Sequence, residues 1–383
     1  MDERSPRMGT PASESPPNDV KMVVVSGRSP RERGRQYGAQ AREQIDRSVQ
    51  YYAALFAHDY HIEWADMADH ALIWEAAIER FDSDLAEEVR GIAEGADRPL
   101  GEILALNARG EIVYGNYVPP PVEGCTSYAL LPEATADGHV YGGQNWDWRF
   151  GAHDTWLVLR IVQPPKPTVI TVVEAGQVGR HGANSSGLAV FANGLSGFCT
   201  ATPGVPQPFI RRRILDTPGV ADALEILLSA PQQIAANVLL AHRDGFAIDV
   251  ETTPERRGWL YPTEGMLVHG NHYEAFTWAR DGERYKPYGA DSLYRVWRLR
   301  QALKACRRAG DGDGMAPTIA TALSDHFGYP DAVCAHADER AAPLARWQTL
   351  TSSIIDLTTG EWRLAAGPPC SHDFVPLPWN LYA

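Results

Sequence analysis

Apolar residues recur at helical spacing through the first hundred or so positions and at alternating or continuous spacing beyond them, and this change of period divides the chain. Val23-Val24-Val25 reads as a short strand. Ser29-Pro30-Arg31-Glu32 follows as a capping box with proline at the first helical position, where its missing N–H would be unpaired anyway. Tyr37, Ala41, Ile45, Val49 and Tyr52 then fall on one face, which predicts a long helix over residues 30–56. Further helical patterns cover 64–81, 85–93 and 101–114, so 29–115 is predicted to be mostly helical.

Pro119-Pro120-Pro121 cannot continue a helix and favours an extended, exposed segment. Strands are predicted beyond it at 126–131 and 140–146, about an Asp137-Gly138 turn, and at 156–162, 169–174 and 188–193. A helix is predicted over 220–228, a hairpin from 238–242 and 246–251 about Asp244-Gly245, and a strand at 266–270. Helices over 292–305 and 317–324 precede a closing hairpin of 353–357 and 362–365. This segregation of helices from strands predicts an α+β layered fold with antiparallel sheets rather than a doubly wound parallel sheet. No repeat of 20 to 50 residues is visible. The glycine-rich stretch 176–187 lacks the dinucleotide fingerprint, and no Walker lysine follows a glycine run, so phosphate cradling is not supported.

Composition narrows the partners. The 383 residues are 44% hydrophobic with a net charge of −13, which argues against nucleic acid or an anionic membrane as partner, since both require a basic surface. Arg211-Arg212-Arg213, the densest basic cluster, reads as a solvated helix entry. Five scattered cysteines make a poor disulfide framework and point to a reducing, cytoplasmic setting. Residues 1–21 are polar and rich in Pro and Ser, read as a disordered leader, and no apolar run is long enough to span a bilayer.

Candidate chemistry begins at Gly124-Cys125-Thr126-Ser127, a cysteine opening a predicted strand behind a rigid loop. A lone cysteine is more often a buried structural residue than a nucleophile. Its company changes that reading: Gly143-Gln144-Asn145-Trp146-Asp147-Trp148, Glu174-Ala175-Gly176, Asn184-x-x-Gly187, His269-Gly270-Asn271-His272 and Ser324-Asp325-His326. Together with the opening Gly27 to Gly34, this arrangement resembles the Ntn-hydrolase superfamily, specifically the acyl-coenzyme A:6-aminopenicillanic acid acyltransferase family of cysteine amidohydrolases. The resemblance spans nearly the whole chain after the leader; its specificity rests on Gly124-Cys125-Thr126-Ser127 followed about twenty residues later by Gln144 to Trp148.

The resemblance implies a four-layer αββα sandwich with a helical N-terminal segment (22–124) and a nucleophile-bearing domain (125–383). It also implies self-cleavage between Gly124 and Cys125, giving pieces of 124 and 259 residues. In such enzymes the thiol attacks the preceding carbonyl, and the freed α-amine, with an ordinary pKa of about 7.7 to 8.0, serves as general base. Gly124, lacking Cβ, suits the strained backbone such an attack needs. The resemblance gives Asp147 the task of orienting the amine and gives Asn271 the oxyanion, through its amide N–H₂ and a backbone N–H. Gln144, Asn145, Trp146, Trp148 and Glu174 form the expected substrate-binding set. The expected partner is a small-molecule amide, with an acyl thioester as an alternative donor; no cofactor is called for, and homo-oligomerisation is left open.

One departure stands out. The family carries an arginine between a cysteine and a histidine downstream of a Tyr-Pro pair, whereas Tyr329-Pro330 here leads to Cys334-Ala335-His336, leaving Arg340 as the nearest substitute. Penicillin-type substrates are therefore not carried over. His269-x-x-His272, Cys334-x-His336 and Cys370-x-His372 match no zinc-finger, metalloprotease or deaminase spacing, so no metal is expected. Two rival readings remain: an uncut Cys–His hydrolase using a distant histidine, and a non-catalytic small-ligand-binding protein on the same scaffold.

Overall fold

The computed structural model describes residues 20–115, 124–276, 289–309 and 314–383. The leader as far as residue 19 and the triple proline lie outside them. The N-terminal strand β1 (Met22–Ser26) leads into seven helices, α1 (Pro30–Gln40), α2 (Arg42–Tyr60), α3 (Trp64–Ala71), α4 (Glu75–Phe81), α5 (Ser83–Ala96), α6 (Leu100–Asn107) and α7 (Arg109–Gly115). Strands β2 (Cys125–Leu130), β3 (Tyr141–Arg149), β4 (Trp156–Val162), β5 (Val169–Glu174), β6 (His181–Asn184) and β7 (Leu188–Cys199) follow. After α8 (Gln207–Leu215) and α9 (Val220–Ser229) come β8 (Ile234–His242), β9 (Phe246–Thr252), β10 (Arg257–Leu260) and β11 (Met266–His269). Helices α10 (Asp291–Leu303) and α11 (Met315–Leu323) precede β12 (Trp347–Asp356), β13 (Glu361–Ala365) and β14 (Val375–Pro376).

Two sheets result, one of eight strands in the order β1-β4-β5-β6-β7-β8-β9-β10 and one of six in the order β11-β2-β3-β12-β13-β14. Side chains alternate between faces, and in the larger sheet both faces are apolar. Leu157, Leu159 and Ile161 of β4 pack against the first helical layer, while Trp156 and Val158 meet the smaller sheet. The smaller sheet turns Ala129, Trp146 and Trp148 inward. Its outer face offers Tyr128, Leu130, Val268 and Ile354 to Leu299 and Leu303 of α10 and Ile319 and Leu323 of α11. Each such side chain contributes roughly 1.5–3 kcal/mol when fully buried, so sheets apolar on both faces are stable only when covered twice. Helices, sheet, sheet and helices therefore stack in four layers, the expected αββα sandwich.

Three departures from the sequence reading stand out. The long first helix breaks at Ala41, whose backbone leaves the helical region. On its first half, Gly34 and Gly38 face Gly91 and Gly95 of α5; a methyl on any of the four would stand 2.1–2.2 Å from a carbonyl oxygen of the opposite helix. The sheets are not wholly antiparallel, because β1 runs parallel to β4. Finally, Arg211-Arg212-Arg213 is not a solvated entry but the body of α8, a helix the sequence reading missed: Arg212 is fully buried between Glu88 and Asp216. Those partners lie on α5 and on the turn after α8, and burial is bearable for that guanidinium because both carboxylates meet it.

Candidate active site

Cys125 opens β2 opposite Trp146 of β3, and both side chains turn into the space between the sheets. Gly124 and Asp147 lie at the same end of the pair and face the other way. The Asp147 N–H donates to the Gly124 carbonyl oxygen at 3.0 Å, so the carbonyl preceding the thiol is already polarised.

The amide of Cys125 is held on its other atoms too. Its N–H donates to Asn271 Oδ1 at 2.9 Å, and its carbonyl oxygen accepts from Asn193 Nδ2 at 3.0 Å and from Arg295 Nη1 at 2.9 Å. Arg295, fully buried on α10, also donates through Nη2 to Asn271 Oδ1 at 3.0 Å and through Nε to Asp291 at 2.8 Å. The sequence reading gave the Asn271 N–H₂ group to an oxyanion. The structure places it otherwise: two donors converge on Oδ1, which fixes the orientation of the amide, and Nδ2 donates to the Gly194 carbonyl at 3.1 Å. Asn271 thus receives the nitrogen of Cys125 rather than donating to an oxyanion.

Asp147 is fully buried. Its Oδ1 accepts from Thr349 Oγ1 at 2.6 Å, while Oδ2 is buried without a hydrogen-bond partner. Burial raises its pKa to about 8, against the opposing pull of Arg295 and the Thr349 hydrogen bond, so this carboxyl holds its proton far more tightly than an exposed one. A methyl on Gly124 would stand 2.9 Å from Oδ2 and 2.5 Å from a ring carbon of Trp347. Glycine is thus required by close approach rather than by an unusual φ, which corrects the reason the sequence suggested. Gly124→Ala is expected to displace the Gly124–Cys125 bond and slow any cleavage there by about 100-fold. Adding Trp347→Leu should recover part of that rate in a band-shift time course; equal slowness in both variants would show that the ring is not the obstacle.

A cavity of about 70 Å³ beside Cys125 is lined by Arg109, Glu111, Trp148, Gln177, Arg180 and Arg211, among others. Arg180 lies with its guanidinium 3.9 Å over the Trp146 ring and Nη2 3.7 Å from Cys125 Sγ, the electrostatic complement of a thiolate. Burial raises the Glu111 carboxyl to about 7.

The expected substrate set divides. Trp148 lines the cavity, its Nε1–H donating to Tyr52 Oη at 2.8 Å and its ring covered by Arg109. Trp146 supports Arg180 from behind. Glu174 does not reach the cavity; it pairs with Arg109 at 2.6 Å and accepts from Tyr52. Gln144 turns inward and accepts from the Ala192 N–H. Asn145 turns outward, donating to the carbonyls of Leu323 and Val333, so it braces the loop after α11. Arg340 does not stand in for the missing family arginine, since it is exposed and paired with Asp338. Arg180 and Arg295 supply guanidinium groups at the cysteine instead.

Arg180, Asn193, Arg295 and Thr349 were missed by the sequence reading. Arg180 alone carried a signal, lying within the glycine-rich stretch just before β6; the others sit mid-element with no local motif. His269 is buried, and although burial opposes its protonation, Asp249 and Glu251 raise it to about 9. Its Nε2 lies 3.0 Å from Glu251, and His272 Nδ1 meets Ser292 Oγ at 2.8 Å, so these two histidines do not combine as ligands. His326, Cys334, His336 and Cys370 do converge, outside the cavity lining.

The sequence profile of the acyl-coenzyme A:6-aminopenicillanic acid acyl-transferase family matches residues 134–370. The chain is 26% identical over 354 residues to the acyl-coenzyme A:6-aminopenicillanic-acid-acyltransferase 40 kDa form of Emericella nidulans, spanning 92% of this chain and 94% of that one. Among solved structures it resembles the conjugated bile acid hydrolase of Clostridium perfringens, at 15% identity and a TM-score of 0.44, covering 67% of this chain and 97% of that one. It also resembles the penicillin V acylase of Agrobacterium tumefaciens, at 14% identity and 0.43, covering 63% and 83%. The profile match extends over more than half of the residues, and the chain belongs to the acyl-coenzyme A:6-aminopenicillanic acid acyltransferase family.

Proposed function

We propose that the chain is a precursor that cuts itself between Gly124 and Cys125, and that the mature enzyme acts on a small N-acyl amide through a thioester on Cys125. The observation that carries this reading is the clamp on one peptide bond. Asp147 N–H meets the Gly124 carbonyl oxygen, Asn271 Oδ1 meets the Cys125 N–H, and the partnerless Asp147 Oδ2 abuts Gly124. In the cleavage step Sγ bonds to the Gly124 carbonyl carbon, the C–N bond breaks, and the Cys125 nitrogen takes the proton. Water then adds to the thioester, releasing the Gly124 carboxylate and restoring the thiol.

The same atoms serve turnover. Asn271 Oδ1 and Asp147 Oδ2 hold the new α-amine, which removes the thiol proton and returns it to the leaving amine. Arg180 stabilises the thiolate from the cavity side. Arg180 and Arg211 give the cavity a cationic lining that suits a substrate with an anionic substituent near the scissile amide. Water as acceptor gives hydrolysis, and a bound amine gives acyl transfer.

Intact-mass spectrometry of the purified protein is expected to show a piece beginning at Cys125, and brief exposure to an N-acyl amide should add an acyl group to Cys125 that hydroxylamine removes. A continuous polypeptide through position 125 that nevertheless hydrolyses amides would favour the uncut Cys–His reading. Against that rival, His181 places Nε2 on Ser353, and His269 is engaged with Glu251 and the Gly270 carbonyl.

A further inference from the structure

We propose that His326, Cys334, His336 and Cys370 form a tetrahedral zinc site that clamps the C-terminal turn to the loop following α11. Their four ligand atoms all lie within 4.8 Å of one another. Three neighbours crowd a single nitrogen, His336 Nε2: His326 Nε2 at 3.1 Å, Cys334 Sγ at 3.5 Å and Cys370 Sγ at 3.4 Å. An imidazole nitrogen carries one proton or one lone pair, so it can satisfy one of these contacts as a hydrogen bond and not three. A shared cation satisfies all of them, since each atom then points its lone pair at a common centre.

The spacing agrees with that centre. With zinc–nitrogen bonds of about 2.0 Å and zinc–sulfur bonds of about 2.3 Å, tetrahedral geometry sets nitrogen–nitrogen edges of about 3.3 Å and nitrogen–sulfur edges of about 3.5 Å. The three separations fall on those edges. Two thiolates with two imidazoles are the donor set of a closed structural zinc site, and such soft ligands select against magnesium and calcium.

The backbone explains how distant residues meet. Cys334 N–H donates to the Asp325 carbonyl and His336 N–H to the Pro330 carbonyl, folding the loop so that 326, 334 and 336 converge. A turn in which Ser371 N–H donates to Pro368 delivers Cys370. His372, which the sequence pairs with Cys370, instead places Nδ1 near the Pro368 carbonyl, and His326 takes the fourth position. No spacing rule signals a set whose members come from three separate turns.

The site also reaches the catalytic strands. Between the ligands Cys334 and His336, Ala335 donates its N–H to Thr349 Oγ1 at 3.0 Å, and Thr349 Oγ1 donates to Asp147 at 2.6 Å. Zinc would therefore act as a positioning element for Asp147, two hydrogen bonds away.

Elemental analysis of tag-free protein, dialysed against zinc and then against buffer, should find about one zinc per chain. Cobalt substitution should give the ligand-field bands of a tetrahedral site and a thiolate charge-transfer band. Cys370 and His326 are exposed, so Cys370→Ser and His326→Ala should fold, as circular dichroism will verify, yet bind zinc 10- to 100-fold more weakly. Chelation of the unmutated protein should lower its melting temperature without unfolding it outright. The proposal is overturned if reduced, zinc-dialysed protein retains no metal, if mapping finds a Cys334–Cys370 disulfide in its place, or if the two variants hold zinc as tightly as the parent.

Discussion

Replacing Cys125 by alanine is expected to leave a single polypeptide of 383 residues with no detectable turnover. The substitution removes the atom that attacks the Gly124 carbonyl and, because the chain stays uncut, also withholds the α-amine that would serve as base. Nucleophile and base are lost together, so activity should fall by roughly six orders of magnitude, as when a whole catalytic unit is disabled. The uncut chain also reports on the Asp147 proton. In it the Asp147 carboxyl keeps its raised pKa of about 8, caused first by burial, above an unfolded value near 3.9. A raised folded pKa means the native state holds the proton more tightly, so this contribution to stability is fully present below about pH 4 and is lost as pH rises through about 8. The melting temperature of the alanine variant should decline over that interval, and adding Asp147→Asn should flatten the upper part of the decline. Glu111 and Asp249, raised by burial to about 7 and about 6, act in the same direction and remain in both proteins. Release of a 259-residue piece from the alanine variant would end the self-cleavage proposal. An unchanged pH profile in the double variant would show that Asp147 is ionised in the precursor.

Arg295→Met is expected to have the largest effect on folding. The guanidinium is fully buried and holds four groups at once: the Cys125 carbonyl, Thr126 Oγ1, Asn271 Oδ1 and Asp291. Methionine fills similar volume and donates to none of them, leaving the mostly buried Asp291 carboxylate uncompensated. Removing one partner of such a pair costs about 3–5 kcal/mol, which urea unfolding would read directly. Processing should stop as well, since Asn271 and the Cys125 carbonyl lose the fork that fixes them. Arg295→Lys retains the charge but reaches fewer acceptors at once, and its stability should fall between the two. A methionine variant with parental stability and normal processing would reduce Arg295 to a bystander.

What could be read from sequence was what local chemistry determines. β4 and β5 begin and end where their continuous apolar runs do, because each is bounded by Pro, Gly or polar turns and needs both faces covered. Gly124, Cys125 and Asp147 were legible because two paired strands bring a short motif and its partner together across one register. Arg295 and Asn193 were not: each meets Cys125 across more than sixty residues of chain, and neither sits in a local pattern. Arg212 was misread for the same reason, since three consecutive arginines look solvated until Glu88 arrives from another helix. Asn271 comes to the nitrogen of Cys125, but the direction of its amide depends on Arg295, a neighbour that sequence alone did not supply.

The parallel pairing of β1 with β4, and the apolar core shared between the first helices and the larger sheet, govern the fate of the two pieces after a cut before Cys125. The shorter piece would own an edge strand of the larger sheet and helices α1 to α7, with Val23, Ile45, Ile92 and Leu104 sealed against Leu157, Val190 and Val238 of the longer one. Severing the backbone would therefore not free the pieces: they would travel together as one particle in native buffer and part only in denaturant, the smaller persisting as a permanent non-covalent subunit of the enzyme it helped to make.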